Sequence, residues 1–196
     1  MLASLVFQKI YAKNRWLFGS GEGSRPEIAQ PYREFLEQFL REKNIRSVVD
    51  IGCGDWQFSR LIEWGNINYL GLDVVPEVIQ ENQRQFSSEN ISFQVFDATR
   101  ETLPPADLLL IKDVFQHWPN DAIKNWLPNL KKYQYGLITN DADERTNIDI
   151  AFGEHRAVDI TLLPFNISAA PVLEYSGIDI SGKPWRKVTY LVATKA

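Results

Sequence analysis

Cysteine is almost missing from this sequence, because Cys53 is the only one among 196 residues. A single cysteine excludes an internal disulfide framework and a zinc site built from several cysteines. The longest apolar run near the start, Leu5 to Phe7, is far too short to span a membrane. Lys9 and Lys13 follow that segment, whereas a signal peptide has its positive charges in front. We therefore expect a cytoplasmic protein with no membrane partner.

A block of basic residues is also missing. The chain has 21 Lys and Arg against 25 Asp and Glu, for a net charge of −4. The broad positive surface that typically binds nucleic acid is therefore not expected, and the expected partner is a small-molecule substrate. What the sequence does contain is aromatic: six Trp and eleven Phe are enough to fill a core and to line a pocket for a flat ligand.

The length suggests one domain, residues 1–196, in three parts. Residues 1–25 hold an N-terminal helix over 2–12, predicted from apolar spacing, and a loop over 14–25 with three glycines that we interpret as a lid. An alternative is a flexible linker behind a docking helix. Residues 26–140 form the predicted core, with a helix opening at Pro26. Residues 141–196 supply a substrate wall and the last strands.

Short β-branched and aliphatic runs alternate with helical patterns through the core. Strands are predicted at 47–51, 69–73, 91–96, 106–112 and 135–139, and helices at 58–64, from Pro76, and at 120–131. Two further strands, at 172–175 and 187–193, read as an antiparallel pair. The predicted fold class is α/β: an open, mostly parallel seven-stranded sheet with helices on both faces and an antiparallel C-terminal edge.

The first predicted strand ends in Asp50-Ile51-Gly52-Cys53-Gly54-Asp55-Trp56. Gly52 and Gly54 allow positive φ and a close approach of the backbone to a ligand. The third glycine of the dinucleotide fingerprint is missing, which favours a ligand without a pyrophosphate. The second strand ends at Asp73, where a carboxylate can accept hydrogen bonds from ribose hydroxyls. The third and fourth strands also end in acidic residues, Asp97 and Asp113.

These segments, VVDIGCGDW, YLGLDVV, ISFQVFDAT and ADLLLIKDVFQHWPNDAI, together resemble the successive motifs of class I, Rossmann-like S-adenosylmethionine-dependent methyltransferases over residues 47–140. The resemblance implies S-adenosylmethionine as cofactor and S-adenosylhomocysteine as product. It implies that Asp50 acts near the cofactor amino group, that Asp73 holds the ribose and that Asp97 bonds the adenine. The cofactor contacts carried over are Asp50, Gly52, Cys53, Gly54, Trp56, Asp73, Val74, Phe96, Asp97, Ala98, Lys112 and Asp113. Trp56 departs from the family, which has a small residue there.

Catalysis in such an enzyme needs positioning of the acceptor and, for a hydroxyl or ammonium, removal of a proton. His117, after the fourth strand, and Asp113 are the candidate bases. His117, Asp141 and Arg156 are the candidate substrate contacts, although Arg156 also suits a surface pair with Asp159. Asn140, Asp141 and Asp143 suggest either magnesium binding together with Asp113, in loose resemblance to catechol-type methyltransferases, or a solvated acidic loop. We predict no metal.

The predicted function is methyl transfer to a small molecule, with oxygen slightly favoured over nitrogen as acceptor. Two alternatives remain at this point. A nicotinamide-dependent oxidoreductase would also use the Gly52–Gly54 turn and Asp73. A methyltransferase fold that only binds, without turnover, would have the same sequence pattern.

Overall fold

A computed structural model describes residues 3–143 and 146–193 of the chain. The α-helices are α1 (Ala3–Ala12), α2 (Gln30–Glu42), α3 (Pro76–Phe86) and α4 (Asn120–Trp126). The strands are β1 (Ser47–Ile51), β2 (Asn68–Asp73), β3 (Ile91–Val95), β4 (Leu108–Lys112), β5 (Tyr135–Asp141), β6 (Ala170–Ile178) and β7 (Pro184–Ala193). Short 3₁₀ segments lie at Glu22–Ser24, Ser59–Leu61, Phe115–His117 and Leu127–Lys132.

The strands form one seven-stranded sheet in the order β3-β2-β1-β4-β5-β7-β6. The first five strands pair in parallel, and β7 runs antiparallel to both β5 and β6. The strand order reverses between β1 and β4, which is where an open α/β sheet binds its ligands. The predicted fold class, including the antiparallel C-terminal edge, is confirmed.

Helices cover both faces because successive side chains of a strand point to opposite sides. Val49 and Ile51 of β1 pack in a core with Phe7 of α1 and Ile123 of α4. Val48 packs in the other core, with Leu36 of α2 and Ile79 of α3. Central strands that are buried on both faces read as continuous apolar runs, as Leu108–Lys112 does with all five residues buried.

Prolines end or delay two predicted helices. The helix expected from Pro26 begins at Gln30, with Pro31 in its first turn. Had it begun at Pro26, Pro31 would lie inside the helix, without an N–H and against a carbonyl of the preceding turn. The helix expected over 120–131 ends at Trp126, and a 3₁₀ segment continues through Pro128 for the same reason.

The helix predicted over 58–64 was also wrong, because only the 3₁₀ turn Ser59–Leu61 forms. Ile62 turns to extended backbone, with ψ of 137°. The Ser59 carbonyl, which a longer helix would use, accepts a hydrogen bond from the indole N–H of Trp64 at 2.9 Å. The helix predicted over 2–12 is α1, although residue 2 lies outside the described residues. Within 3–143 and 146–193, no helix combines the length and apolarity that crossing a membrane requires.

Candidate active site

A cavity of about 260 Å³ opens at the carboxyl ends of β1, β2 and β4. α1 and the loop over residues 14–25 contribute the opposite wall, through Phe7, Tyr11, Trp16 and Ser20. Thirteen of the predicted site residues line it: Asp50, Gly52, Cys53, Gly54, Asp73, Val74, Phe96, Asp97, Ala98, Lys112, Asp113, His117 and Asp141. The structure thus brings together residues that lie up to 91 positions apart in sequence. Trp56 and Arg156 are the two predicted site residues that it places elsewhere.

The glycine turn after β1 has no room for side chains. Gly52 and Gly54 adopt positive φ, 69° and 56°. A Cβ at Gly52 would lie 2.4 Å from Val114 Cγ2, and one at Gly54 would lie 2.2 Å from Ser20 Oγ. Any side chain here would also project toward the cavity that these residues line. The turn therefore leaves bare backbone facing the cavity, as close approach to a ligand requires.

Trp56 takes the left-handed backbone conformation at the end of this turn, with φ of 57°. Its ring lies 5.1 Å from that of Phe86 and 5.2 Å from that of Phe93, and only 4% of the residue is exposed. The bulky side chain therefore fills the core on the α2 and α3 side of the sheet. The prediction that Trp56 contacts the cofactor is corrected: this residue supports the turn from behind.

Two buried carboxyl groups stand at the ends of β1 and β2. Asp73 accepts hydrogen bonds from the backbone N–H of Gly54 at 3.1 Å and of Val75 at 3.0 Å. Asp50 accepts one from the hydroxyl of Tyr69 at 2.7 Å. Burial disfavours the charged form and raises the pKa of Asp73 to about 6 and that of Asp50 to about 7. Both groups therefore change charge near neutral pH.

Asp97 follows β3 and is partly exposed. Its Oδ1 accepts hydrogen bonds from the backbone N–H of Thr99 at 3.0 Å and from the Thr99 hydroxyl at 2.6 Å. One carboxylate oxygen thus shapes the local turn, and Oδ2 is the oxygen left for a ligand. Phe96 and Ala98 are buried on either side of Asp97 and line the cavity with apolar surface.

A chain of charged side chains crosses the cavity floor beyond β4 and β5. Asp113 pairs with Lys112 at 2.5 Å and with Lys187 at 2.7 Å, and Lys187 also pairs with Asp141. Lys187 lies on β7 directly opposite Asp141 in the β5–β7 register. The two lysines hold the pKa of Asp113 below its usual range, and the two carboxylates raise that of Lys187. The sequence offered no motif for Lys187, which only the strand register places here.

His117 is neutral at neutral pH, because burial lowers its pKa to about 4. Its Nδ1 donates to the carbonyl of Glu154 at 2.8 Å, since a carbonyl only accepts, and Nε2 is therefore the unprotonated nitrogen. The ring lies 4.8 Å from that of Trp16. The ring of His155 lies 5.6 Å from that of His117, and its Nε2 bonds Asp141 Oδ2 at 2.7 Å.

Arg156 does not reach the cavity, so its predicted substrate contact is corrected. Its guanidinium is buried and donates to the carbonyls of Phe115, Trp118 and Ile148 and to the side chain of Asn120. These bonds use four of the five guanidinium donors. The alternative pair with Asp159 is also wrong, because Asp159 accepts hydrogen bonds from Thr161 and Tyr190 instead.

The N-terminal loop is fastened across the cavity at two points. The Ser20 hydroxyl donates to Asp55 Oδ1 at 2.6 Å, accepts from the Asp55 backbone N–H at 2.9 Å and lies 2.7 Å from the Tyr11 hydroxyl. The Gly23 carbonyl accepts from Lys112 Nζ at 2.9 Å. Sequence reasoning identified the loop but not these contacts. The repeated Gly-Ser pattern was the only feature of the loop sequence that could have indicated contacts of this kind.

A metal site built from the protein alone typically gathers several His, Cys, Asp or Glu ligands, whereas Mg²⁺ can bind through one or two carboxylates and water. The part of the chain that the structure describes contains no such group of His, Cys, Asp or Glu. The ammonium of Lys187 lies between Asp113 and Asp141, two of the three carboxylates considered for magnesium.

Comparison with known proteins is decisive for the class of this site. Residues 48–133, the segment from β1 to the end of the α4 region, match the family model of a methyltransferase domain. This match supports the predicted methyltransferase family over these residues. Solved methyltransferases with the same fold hold S-adenosylmethionine or S-adenosylhomocysteine, so the predicted family, enzyme class and cofactor are confirmed. The nicotinamide alternative is correspondingly not supported.

Several solved methyltransferases share the fold. The N-methyltransferase NodS from Bradyrhizobium japonicum WM9, with S-adenosylhomocysteine, has a TM-score of 0.63 and 14% identity, covering 85% of this chain and 88% of that one. Magnesium protoporphyrin IX methyltransferase from Synechocystis PCC 6803 has 0.65 and 11%, covering 96% and 99%. The 1,6-didemethyltoxoflavin-N1-methyltransferase from Burkholderia thailandensis has 0.66 and 16%, covering 98% and 88%. Identities this low support the fold of the methyltransferase domain and not its substrate.

Proposed function

We propose that this protein transfers a methyl group from S-adenosylmethionine to a small-molecule acceptor, with oxygen slightly preferred over nitrogen as the accepting atom. The observation that carries the proposal is the cavity itself, in which bare glycine backbone after β1 lies beside acidic side chains from the ends of β1, β2 and β4. The methyltransferases from Synechocystis and Burkholderia are named for magnesium protoporphyrin IX and 1,6-didemethyltoxoflavin, which supports a small-molecule acceptor here.

The residues present fit the cofactor. Asp73 would hold the ribose hydroxyls, because a carboxylate is an acceptor for both. Asp97 would bond the adenine amino group through Oδ2, with Phe96 and Ala98 beside the ring. Asp50 would act near the cofactor amino group, directly or through water, and the Gly52–Gly54 turn would lie under the methionine part. Asp113 would bound the site at the methionine end of the cofactor.

Of the predicted contacts, Val74, Cys53 and Lys112 would line the site without providing its specificity. We assign all of residues 1–196 to one methyltransferase domain. Residues 1–25 would act as helix and lid, 26–140 as the cofactor-binding core, and 141–196 as substrate wall and final strands. Ser20 and Gly23 support the lid assignment, because both fasten the loop to the cavity wall.

When bound, S-adenosylmethionine supplies a methyl group that is already activated. The protein then has to orient the acceptor and, for a hydroxyl, to take its proton. His117 Nε2 is the unprotonated nitrogen at the cavity wall and would receive it. A neutral base at this wall would serve a hydroxyl acceptor, and this supports oxygen over nitrogen as the accepting atom.

The test is calorimetric titration of the purified protein with S-adenosylhomocysteine, for the wild type and for Asp73→Ala. We expect the substitution to weaken binding at least ~10-fold, about 1.5 kcal/mol, because it removes a charge-assisted acceptor from two hydroxyls. Asp107→Ala is the matched control. That carboxylate also accepts two backbone N–H groups, of Arg46 and Ser47, but at the amino ends of the strands.

Equal affinity of wild type and Asp73→Ala would refute the ribose assignment. A folded wild-type protein that binds S-adenosylhomocysteine not at all, but binds NADH, would overturn the proposed function. Binding without turnover on any cell extract would instead favour a non-catalytic subunit.

A further inference from the structure

The pairing of β4 with β5 brings Asp113 and Asp141 close together. β4 and β5 are parallel neighbours in which Lys112 lies opposite Thr139, so Asp113, which follows β4, and Asp141, the last residue of β5, both lie at the carboxyl edge of the sheet. Two carboxylates this close repel each other when both are charged, unless a cation lies between them. In many proteins oxygen ligands of this kind hold a divalent ion.

In this protein the cation between the two carboxylates is a side chain, that of Lys187. Lys187 is the cross-strand partner of Asp141 in the antiparallel β5–β7 pair, so its side chain rises on the same face. Its ammonium contacts Asp113 Oδ1 at 2.7 Å and also Asp141 Oδ1, and Lys187 is only 4% exposed. Burial of a charge at this depth is tolerated only with such pairing.

We propose that Lys187 is a built-in cation that occupies the position of a divalent metal ion between Asp113 and Asp141 and makes this site independent of metal. The ammonium is tethered to β7 and satisfies both carboxylates, so a free ion would have to displace a buried charge that cannot leave. Lys187 is a positioning residue, because it acts by holding the two carboxylates at the cavity floor.

The surrounding charges agree with this role. Lys112 pairs with the other oxygen of Asp113, and His155 bonds the other oxygen of Asp141. The backbone of Gly23 packs on the same cluster: a Cβ there would lie 2.9 Å from Asp113 Oδ2 and 3.3 Å from Lys187 Nζ. The two aspartates and two lysines balance in charge, so the cluster needs no further ion. Removal of Lys187 alone leaves an excess of negative charge.

The experiment compares wild type, Lys187→Met and Lys187→Arg by thermal unfolding with and without millimolar MnCl2 or MgCl2, against KCl of equal ionic strength. Wild type is expected to show the same Tm in all three salts and in EDTA. Lys187→Met is expected to have a lower Tm that the divalent salts partly restore, whereas KCl does not. Lys187→Arg, which keeps the charge, is expected to show no divalent response.

Lys183→Met is the matched control, since it removes a lysine from the exposed β6–β7 turn and should gain no metal response. Calorimetric titration of wild type with MnCl2 keeps the test decisive if Lys187→Met does not fold. Specific Mn²⁺ binding by wild type that Asp113→Asn abolishes would overturn the proposal, and so would a folded Lys187→Met without a divalent response.

The role of Lys187 in this site rests on the proposed methyl transfer. The proposed function and the built-in cation are nevertheless tested by separate measurements. Absence of S-adenosylhomocysteine binding by wild type would remove the function and leave the metal measurements valid. Normal binding of S-adenosylhomocysteine together with Mn²⁺ binding by wild type would keep the function and remove the built-in cation.

Discussion

At the scale of single residues, Asp50 couples the charge of the site to pH. Its pKa is raised to about 7 by burial, above the value of about 4 for an aspartate in an unfolded chain. Between these two values the folded protein binds more protons at this group than the unfolded chain does. Asp50 therefore lowers the free energy of unfolding as pH rises from about 4 to about 7.

We predict that Asp50→Asn flattens this part of the stability curve and makes the protein more stable than wild type at pH 8, by one to a few kcal/mol, since one pKa unit corresponds to about 1.4 kcal/mol. Asn keeps an acceptor for the Tyr69 hydroxyl. Urea unfolding of both proteins at intervals between pH 5 and pH 8 measures the difference. Parallel curves would show that Asp50 has an ordinary pKa. Asp73 and His117 are present in both proteins, so the difference between the two curves reports Asp50 together with its charge interaction with Asp73.

The residues that sequence reasoning misplaced share one physical reason. The sequence indicates which residue types can do chemistry at a strand end, and thirteen predicted site residues do line the cavity. It does not indicate which way a side chain turns. Trp56 packs its ring in the core, Arg156 donates to backbone carbonyls, and Lys187 reaches the site through the register of the β5–β7 pair.

At the scale of elements, the N-terminal loop depends on Ser20. We predict that Ser20→Ala loosens residues 14–25, because it removes the hydroxyl that joins Asp55 and Tyr11, a loss of about 0.5–1.5 kcal/mol per hydrogen bond. Hydrogen exchange measured by mass spectrometry should show faster exchange in this loop, and affinity for S-adenosylhomocysteine should fall a few-fold.

Ser181→Ala is the control for this prediction. Its hydroxyl also donates to an aspartate, Asp179 at 2.7 Å, but in the β6–β7 turn. Unchanged exchange over 14–25 in Ser20→Ala would mean that the Lys112–Gly23 contact and the packing of Trp16 hold the loop without the serine.

Element positions were predicted better than element ends. Every strand was found because β-branched and aliphatic runs mark buried strands. The errors lie where one residue overrides a pattern: Pro31 delays α2, Pro128 stops α4, and extended Ile62 limits 58–64 to a single turn. These are local steric effects that apolar periodicity does not contain.

At the scale of the whole molecule, Arg156 ties the segment after β5 to the segment after β4. We predict that Arg156→Met lowers the free energy of unfolding by about 3–5 kcal/mol, because it removes four buried hydrogen bonds, to the carbonyls of Phe115, Trp118 and Ile148 and to the side chain of Asn120. Urea unfolding measures this loss. Arg186→Met, which removes an exposed pair with Glu174, is the control and should cost at most about 1 kcal/mol.

The strand order of the sheet also bears on the order in which the site assembles during synthesis. β7 is the last strand along the chain but lies inside the sheet, between β5 and β6. Asp113 leaves the ribosome 74 residues before Lys187 does. A nascent chain can therefore assemble the parallel half of the sheet while its two carboxylates still lack their ammonium partner. The charges of the cavity floor are balanced only when β7 is inserted between β5 and β6 and brings Lys187 to the two carboxylates.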